Sequence, residues 1–264
     1  MTARRGGLGL GLVNSVFVSI LGLVIGSFLN VVIYRVPRGE SLVRPGSHCP
    51  ACGHFLKPWE LIPVFSFLIQ RGRCRRCQTR ISWRYPLVEL LTGLLFFYTY
   101  WHNPGTHPGR LALDLVFIAS LVALTFIDLD TMRLPDVIVL PLVLVGLAGA
   151  WLIPDRLTGW ESLASAVGAG GLFWFIARVY PEGMGLGDVK LVAALGAFLG
   201  FPGIILAVFL ASLSGSLIGL ARLFMRRASW RQQIPFGPYL AFGGVVTLLW
   251  GNTMWFGYWA WAYH

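Results

Sequence analysis

Charge is what this chain has least of. Only 12% of its 264 residues are Asp, Glu, Lys or Arg, and just 11 of them are acidic. Soluble domains commonly carry about a quarter of their residues as charge, which excludes an ordinary water-solvated fold. Cysteine is also scarce: all four lie between positions 49 and 77, confining any thiol chemistry to one segment. A cleavable signal peptide is not evident either, because the first apolar run is too long for a signal core and lacks a convincing small-residue cleavage site. In place of charge the chain has 56% apolar residues and a mean hydropathy of +0.70, the composition of a polytopic membrane protein.

Windows long enough to cross a hydrocarbon core of about 30 Å fall near Leu12 to Tyr34, Leu87 to Trp101, Leu111 to Ile127 and Pro135 to Ile153. Four more run near Leu163 to Tyr180, Val189 to Gly200, Gly203 to Phe224 and Pro238 to Trp261, the Val189 run being short. The expected fold is therefore all-α, with about eight transmembrane helices. Its expected divisions are an N-terminal region with the first helix (1–34), a small basic loop domain between helices 1 and 2 (35–86), and a transmembrane domain (87–264). Trp83, Tyr85, Trp101, Trp151, Trp255, Tyr258, Trp259 and Trp261 stand at helix ends and read as interfacial anchors.

The loop domain holds Arg35, Arg38, Arg44, Lys57, Arg71, Arg73, Arg75, Arg76, Arg80 and Arg84 against Glu40 and Glu60, so it supplies +8 of the chain's net +10. The positive-inside rule places it in the cytoplasm. Alternating through eight crossings then returns the connections near Thr131, Glu182 and Arg226 to the same side, where Arg222, Arg226, Arg227 and Arg231 agree with it. Arg4 and Arg5 at an outer N-terminus are the one contradiction. The positive charge abuts apolar helices and carries no nucleic-acid motif, and attraction to anionic lipid headgroups accounts for it.

All four cysteines lie in that loop as Cys49-x-x-Cys52 and Cys74-x-x-Cys77. Two such knuckles about 20 residues apart can wrap one tetrahedral zinc ion with four thiolates. Arg73, Arg75 and Arg76 favour thiolate over thiol, and a segment this small, which cannot bury much core, gains folding free energy from the metal. The rivals are two disulfides, which need an oxidising compartment, and a thiol redox role. His48 and His54 neighbour the first knuckle, but four cysteines complete the shell without them.

Two aspartates sit where apolar runs end: Asp128 in Phe126-Ile127-Asp128-Leu129-Asp130, and Asp188 after Gly183-Met184-Gly185-Leu186-Gly187. An ionised group at bilayer depth is expensive, so the expected arrangement is a functional pair facing a hydrated cavity. Two converging carboxylates suffice for aspartic peptide hydrolysis, one ionised to take a proton from water and one protonated to donate to the carbonyl oxygen. Like charges held close cannot both ionise, which divides these roles between the two and makes the pair titrate jointly. Glycines 183, 185 and 187 let backbone approach closely beside Asp188. Asp136 beside Pro135 reads as a helix N-terminal residue, Asp130 as a loop residue, Asp114 as an outer-face residue and Glu89 as a polar packing contact. Lys190 is placed either to tune Asp188, to meet a substrate carboxylate, or to stand as a plain interfacial charge.

Taken together, Gly26-Ser27-Phe28-Leu29-Asn30 through Tyr34-Arg35-Val36-Pro37, His48-Cys49-Pro50-Ala51-Cys52-Gly53, Ile81-Ser82-Trp83-Arg84-Tyr85-Pro86, the Asp128 box to Leu134-Pro135-Asp136, Gly185-Leu186-Gly187-Asp188-Val189-Lys190 and Ile234-Pro235-Phe236-Gly237-Pro238 resemble the type IV prepilin peptidases. The resemblance covers nearly the whole chain, with the motifs in family order. It implies that Asp128 and Asp188 are the catalytic aspartates of a bifunctional enzyme of the bacterial cytoplasmic membrane. Such an enzyme cuts the basic leader from type IV prepilins or pseudopilins on the cytoplasmic side, then N-methylates the new terminal residue using S-adenosylmethionine. No residues for that cofactor are legible: the run Gly6-Gly7-Leu8-Gly9-Leu10-Gly11 precedes a membrane helix and lacks the context of a nucleotide fingerprint. A basic leader is not drawn to a +8 loop, so docking is expected to use carboxylates near the site or anionic lipid. Alternatives are a peptidase without methylation, a proton-coupled transporter, for which inverted repeats are not visible, and a membrane scaffold that uses its zinc loop for protein contacts.

Overall fold

The apolar runs fold into helices because no other single-chain element satisfies every backbone N–H and C=O without water or a closed barrel. The computed structural model describes residues 3–153, 157–181, 184–225 and 235–262. Gly183, Arg226, Arg227 and Arg231 lie outside the described residues, as do the side chains of Arg4, Arg5, Tyr258, Trp259 and Trp261. Eight α-helices are described: α1 (Ala3–Arg35), α2 (Phe65–Ile69), α3 (Arg84–His102), α4 (Pro108–Thr131), α5 (Asp136–Leu152), α6 (Gly159–Val179), α7 (Leu186–Phe224) and α8 (Gly237–Ala262).

Among the described residues, four spans are long and apolar enough to cross a membrane: Gly11–Arg38, Pro108–Thr131, Gly159–Val179 and Leu186–Arg222, with Asp136–Leu152 as a shorter apolar helix. The first crossing, Gly11–Arg38, agrees with the window expected near Leu12, and its helix extends back to Ala3. The windows starting at Val189 and Gly203 are likewise two helices that meet at Gly200 within α7, where a φ of 71° and ψ of −178° are not helical. Left-handed φ is cheap only for glycine, so the chain changes direction there, two residues before Pro202.

The chain divides into two compact units, Met1–Leu111 and Ala112–His264, so α3 belongs with α1. In the first unit these two helices run antiparallel. Residue 22 meets 96, residue 26 meets 89, and the Asn30 side-chain amide donates to the Tyr85 carbonyl at 3.1 Å. Small residues permit the approach: a Cβ on Gly26 would lie 2.7 Å from the Cα of Glu89. Between α1 and α3 the polar segment forms two 3₁₀ turns, Val36–Arg38 and Pro58–Leu61, and the short α2.

In the second unit the most deeply buried side chains include Phe117, Leu121, Leu124 and Ile127 on α4, Leu191 and Leu195 on α7 and Leu240 on α8. The rings of Phe117 and Phe198 stack with centroids 4.5 Å apart. Gly244 of α8 leaves room for Leu195, whose Cδ2 a Cβ would meet at 2.6 Å. Helix α6 is fixed to α7 by Ser162, whose hydroxyl donates to the Ala197 carbonyl at 2.7 Å.

Candidate active site

The structure brings Asp128 and Asp188 together at one end of the second unit. Asp128 lies in the last two turns of α4 and is buried, while Asp188 sits in the first turn of α7 and is half-buried. The two carboxylates are near enough to interact electrostatically. Three chain ends converge on them. Gly237, the first residue of α8, donates its backbone N–H to Oδ2 of Asp128 at 3.0 Å. The α4–α5 link contributes Leu134, which packs against both glycines: a Cβ on Gly187 would lie 3.0 Å from Leu134 Cβ, and one on Gly237 3.2 Å from Leu134 Cδ2. On the open side, Gly185 is exposed, and a Cβ there would lie 3.6 Å from Oδ2 of Asp188.

That geometry explains why these residue types recur here. Helix N-termini offer unsatisfied N–H groups and a positive dipole end, and α7 and α8 both present theirs at this place. A buried carboxylate needs such a donor. Gly237 supplies it to Asp128 and also needs to lack a side chain, since its own Cβ would stand 2.6 Å from the oxygen it serves. Sequence reading missed Gly237 and Leu134 as parts of the site. A signal for the former was available in Phe236-Gly237-Pro238, a helix start of the kind that binds anions.

The remaining acids separate cleanly. Asp136, the first residue of α5, forms an exposed ion pair with Lys190, whose Nζ lies 2.7 Å from Oδ1 and 2.8 Å from Oδ2. Lys190 is therefore engaged with Asp136 across α5 and α7. Asp130 is exposed and Asp114 is buried near the start of α4. Glu89 is buried in the other unit and accepts the Val64 N–H at 2.7 Å, which holds α2 against α3.

The four cysteines cluster in the first unit, with sulfurs all within 4.8 Å of one another. Each knuckle has the same backbone: Cys49 N–H donates to the His54 carbonyl and Gly53 N–H to the Cys49 carbonyl, as Cys74 N–H does to Thr79 and Gln78 N–H to Cys74, every one at 2.9 Å. All four thiols are free, and the 3.8 Å between the sulfurs of Cys49 and Cys77 is far from a disulfide's ~2.05 Å. That separation does match the edge of a tetrahedron of thiolates about 2.3 Å from a central ion, roughly 3.8 Å. The residues fit a metal. Hydrogen bonding with the Thr79 side chain and backbone holds the Cys77 thiol down to about 6. The His54 backbone acts to lower Cys52, yet burial and the three other sulfurs push that thiol up to about 11. Four sulfurs this close cannot all be thiolates unless a cation sits among them. His54 faces Glu60 instead, with Nε2 3.5 Å from Oε2.

Two family models match the chain, the bacterial peptidase A24 N-terminal domain over residues 20–103 and the type IV leader peptidase family over residues 115–220. They meet in the gap that holds the boundary between the two units. Among similar curated proteins, one from Pseudomonas aeruginosa is 39% identical, covering 89% of this chain and 90% of the relative. One from Aeromonas hydrophila is 43% identical over 90% and 91%, and one from Neisseria gonorrhoeae is 37% identical over 90% and 91%. Each of the three is named prepilin leader peptidase/N-methyltransferase. No solved structure matches.

Proposed function

The chain belongs to the type IV leader peptidase family, and from that membership we propose that it is an integral membrane aspartyl endopeptidase whose catalytic pair is Asp128 and Asp188. It removes the leader peptide of type IV prepilins or pseudopilins and N-methylates the new terminal residue, the two activities in the names of its relatives. The observation that carries the catalytic assignment is the meeting of the two carboxylates, one fixed by the Gly237 N–H and the other flanked by glycines.

In this arrangement one carboxylate takes a proton from a water molecule, and that water attacks the scissile carbonyl carbon. The other carboxyl protonates the carbonyl oxygen. Collapse of the tetrahedral adduct then breaks the C–N bond, with a proton returned to the leaving amine. The Gly237 N–H holds one oxygen of Asp128 in place throughout, so its second oxygen is the one available to water. Gly185 leaves the Asp188 side open to an extended peptide.

Cys49, Cys52, Cys74 and Cys77 hold a structural zinc ion that staples the loop domain. Methyl transfer calls for S-adenosylmethionine, and among the described residues no cluster singles itself out to hold it. The eight apolar segments, counting α7 as two around Gly200, cross the cytoplasmic membrane with the basic loop and both aspartates on the cytoplasmic side, an arrangement supported by the basic excess in residues 35–84.

The test is purified protein with a prepilin substrate, followed by the mass of the product. Loss of the leader mass with gain of one methyl group is the expected result. Leader loss without methylation reduces the reading to a peptidase, and an intact substrate with the methyl donor present overturns it.

A further inference from the structure

The first unit contains a cavity of about 460 Å³ that the proteolytic reading does not use, lined by Phe67 and Leu68 of α2, by Trp83, and by Arg71, Arg73 and Arg80. Among the described residues none of the three guanidinium groups makes an ion pair. Two of them are forced together. Arg73 and Arg80 stand opposite each other in the antiparallel bridge that closes the second cysteine knuckle, and like charges directly opposite across a bridge are destabilising. A bound anion relieves that repulsion.

The level of this cavity along the helices is set by α1. Its apolar span ends at Arg35 and Arg38. Asn30 is hydrogen-bonded to Tyr85, and Gly26 lies against Glu89, which also accepts the Val64 N–H. Trp83 and the start of α2 are thus held beside the last turns of α1, where a bilayer's headgroups begin. Two of the lining side chains are themselves open to the outside, Trp83 at 74% and Leu68 at 59%, and α2, which supplies part of the lining, also exposes Ile69 at 80% and Phe65 at 62%. Exposed aromatic and aliphatic groups rimming a basic pocket at headgroup height match the division of a phospholipid into acyl and phosphate parts.

We propose that this cavity binds the phosphodiester of an anionic phospholipid from the surrounding bilayer, held by Arg71, Arg73 and Arg80, with the acyl chains against Phe65, Ile69 and Trp83. Charge selects the occupant. A zwitterionic lipid brings an ammonium group to three guanidinium groups, and a sulfonium cofactor would be repelled in the same way. The site orients the loop domain on the membrane surface and does not depend on either aspartate.

The experiment is lipid titration of the full chain in detergent, with bound lipids counted by native mass spectrometry, using dioleoylphosphatidylglycerol and dioleoylphosphatidylcholine. The wild type is expected to retain one phosphatidylglycerol under conditions that strip phosphatidylcholine. Replacing Arg71 and Arg80 together (Arg71→Gln, Arg80→Gln) should weaken phosphatidylglycerol roughly thirty-fold, the loss of two surface charges' attraction. Equal retention of the two lipids by the wild type overturns the proposal. So does unchanged phosphatidylglycerol binding in the folded double variant, or displacement of the lipid by glycerol phosphate at comparable concentration, which would make the site one for a soluble phosphate ester. The comparison of lipids on the wild-type chain needs no variant, so it decides the matter even if the double substitution fails to fold.

Discussion

Gly237 and Asp128, 109 residues apart, are joined by a 3.0 Å hydrogen bond from the backbone N–H of one to Oδ2 of the other. The contact tolerates no side chain, because a Cβ at position 237 would lie 2.6 Å from that oxygen and 3.1 Å from the carboxyl carbon. Gly237→Ala should therefore displace the carboxylate while leaving the helix start intact. A misplacement of about 1 Å in a reacting group costs on the order of a hundred-fold in rate, and a loss of that size in leader cleavage, at unchanged unfolding temperature, is the expected result. Asp128→Asn and Asp188→Asn should each leave no detectable cleavage, and the double variant should be no worse than either, since the pair acts as a unit. Near-wild-type rates in the alanine variant would remove Gly237 from the site.

How the site was and was not legible follows from what periodicity encodes. Apolar run length located the long helices, and the charge of residues 35–84 singled out the loop. The Cys-x-x-Cys spacing announced a four-sulfur cluster because the ligands of each knuckle are local. Asp128 and Asp188 stood out because carboxylates at the ends of apolar runs are costly. Helix pattern says which face is apolar but not which distant chain end meets it. For that reason the α8 N-terminus could not be assigned to Asp128, nor Leu134 to the gap between Gly187 and Gly237. The break at Gly200 was legible as two windows, but the left-handed φ that joins the two helices there is a matter of tertiary packing. The partner of Lys190 was open between three readings, and only the juxtaposition of α5 and α7 settles it.

That ion pair yields a prediction of small effect. Both side chains are substantially exposed, at 37% for Lys190 and 55% for Asp136, and an exposed pair contributes under about 1 kcal/mol after solvent screening. Asp136→Asn should lower stability by no more than that and keep cleavage within about three-fold of wild type, a change under 1 kcal/mol in the barrier. If cleavage disappeared with the protein still folded, Asp136 would belong to the catalytic machinery and the assignment of two aspartates would need revision.

The cysteine cluster predicts a larger effect confined to the first unit. Cys74 is 3% exposed and its sulfur is one of the four that converge. Removing one of four thiolates, as in Cys74→Ser, weakens a metal whose binding is the folding free energy of the segment. Metal analysis should find one zinc per wild-type chain and much less in the variant. Limited proteolysis should then cut the variant within residues 36–83, at sites protected in the wild type. Full metal content in the variant, or protection that survives chelation, would show that the segment folds on its own contacts.

Glu60 gives the segment a pH dependence whose direction is fixed by its partners. It is buried, accepts the Lys57 backbone N–H at 2.9 Å and faces His54, and these contacts hold its carboxyl below its ordinary value of 4.5. A carboxylate depressed in the folded state binds its proton more readily when unfolded, so its contribution to stability is complete above about 4.5 and disappears as pH falls through the folded value. Glu60→Gln removes that charge. The unfolding temperature of the variant should therefore lie below wild type at neutral pH, and the gap should close as the medium is acidified below 4.5. Protonation of the cysteine ligands in acid affects both proteins alike and cancels in the difference. A gap that widened toward low pH would mean that the neutral form of Glu60 is the one the fold prefers, which its hydrogen bond from Lys57 argues against.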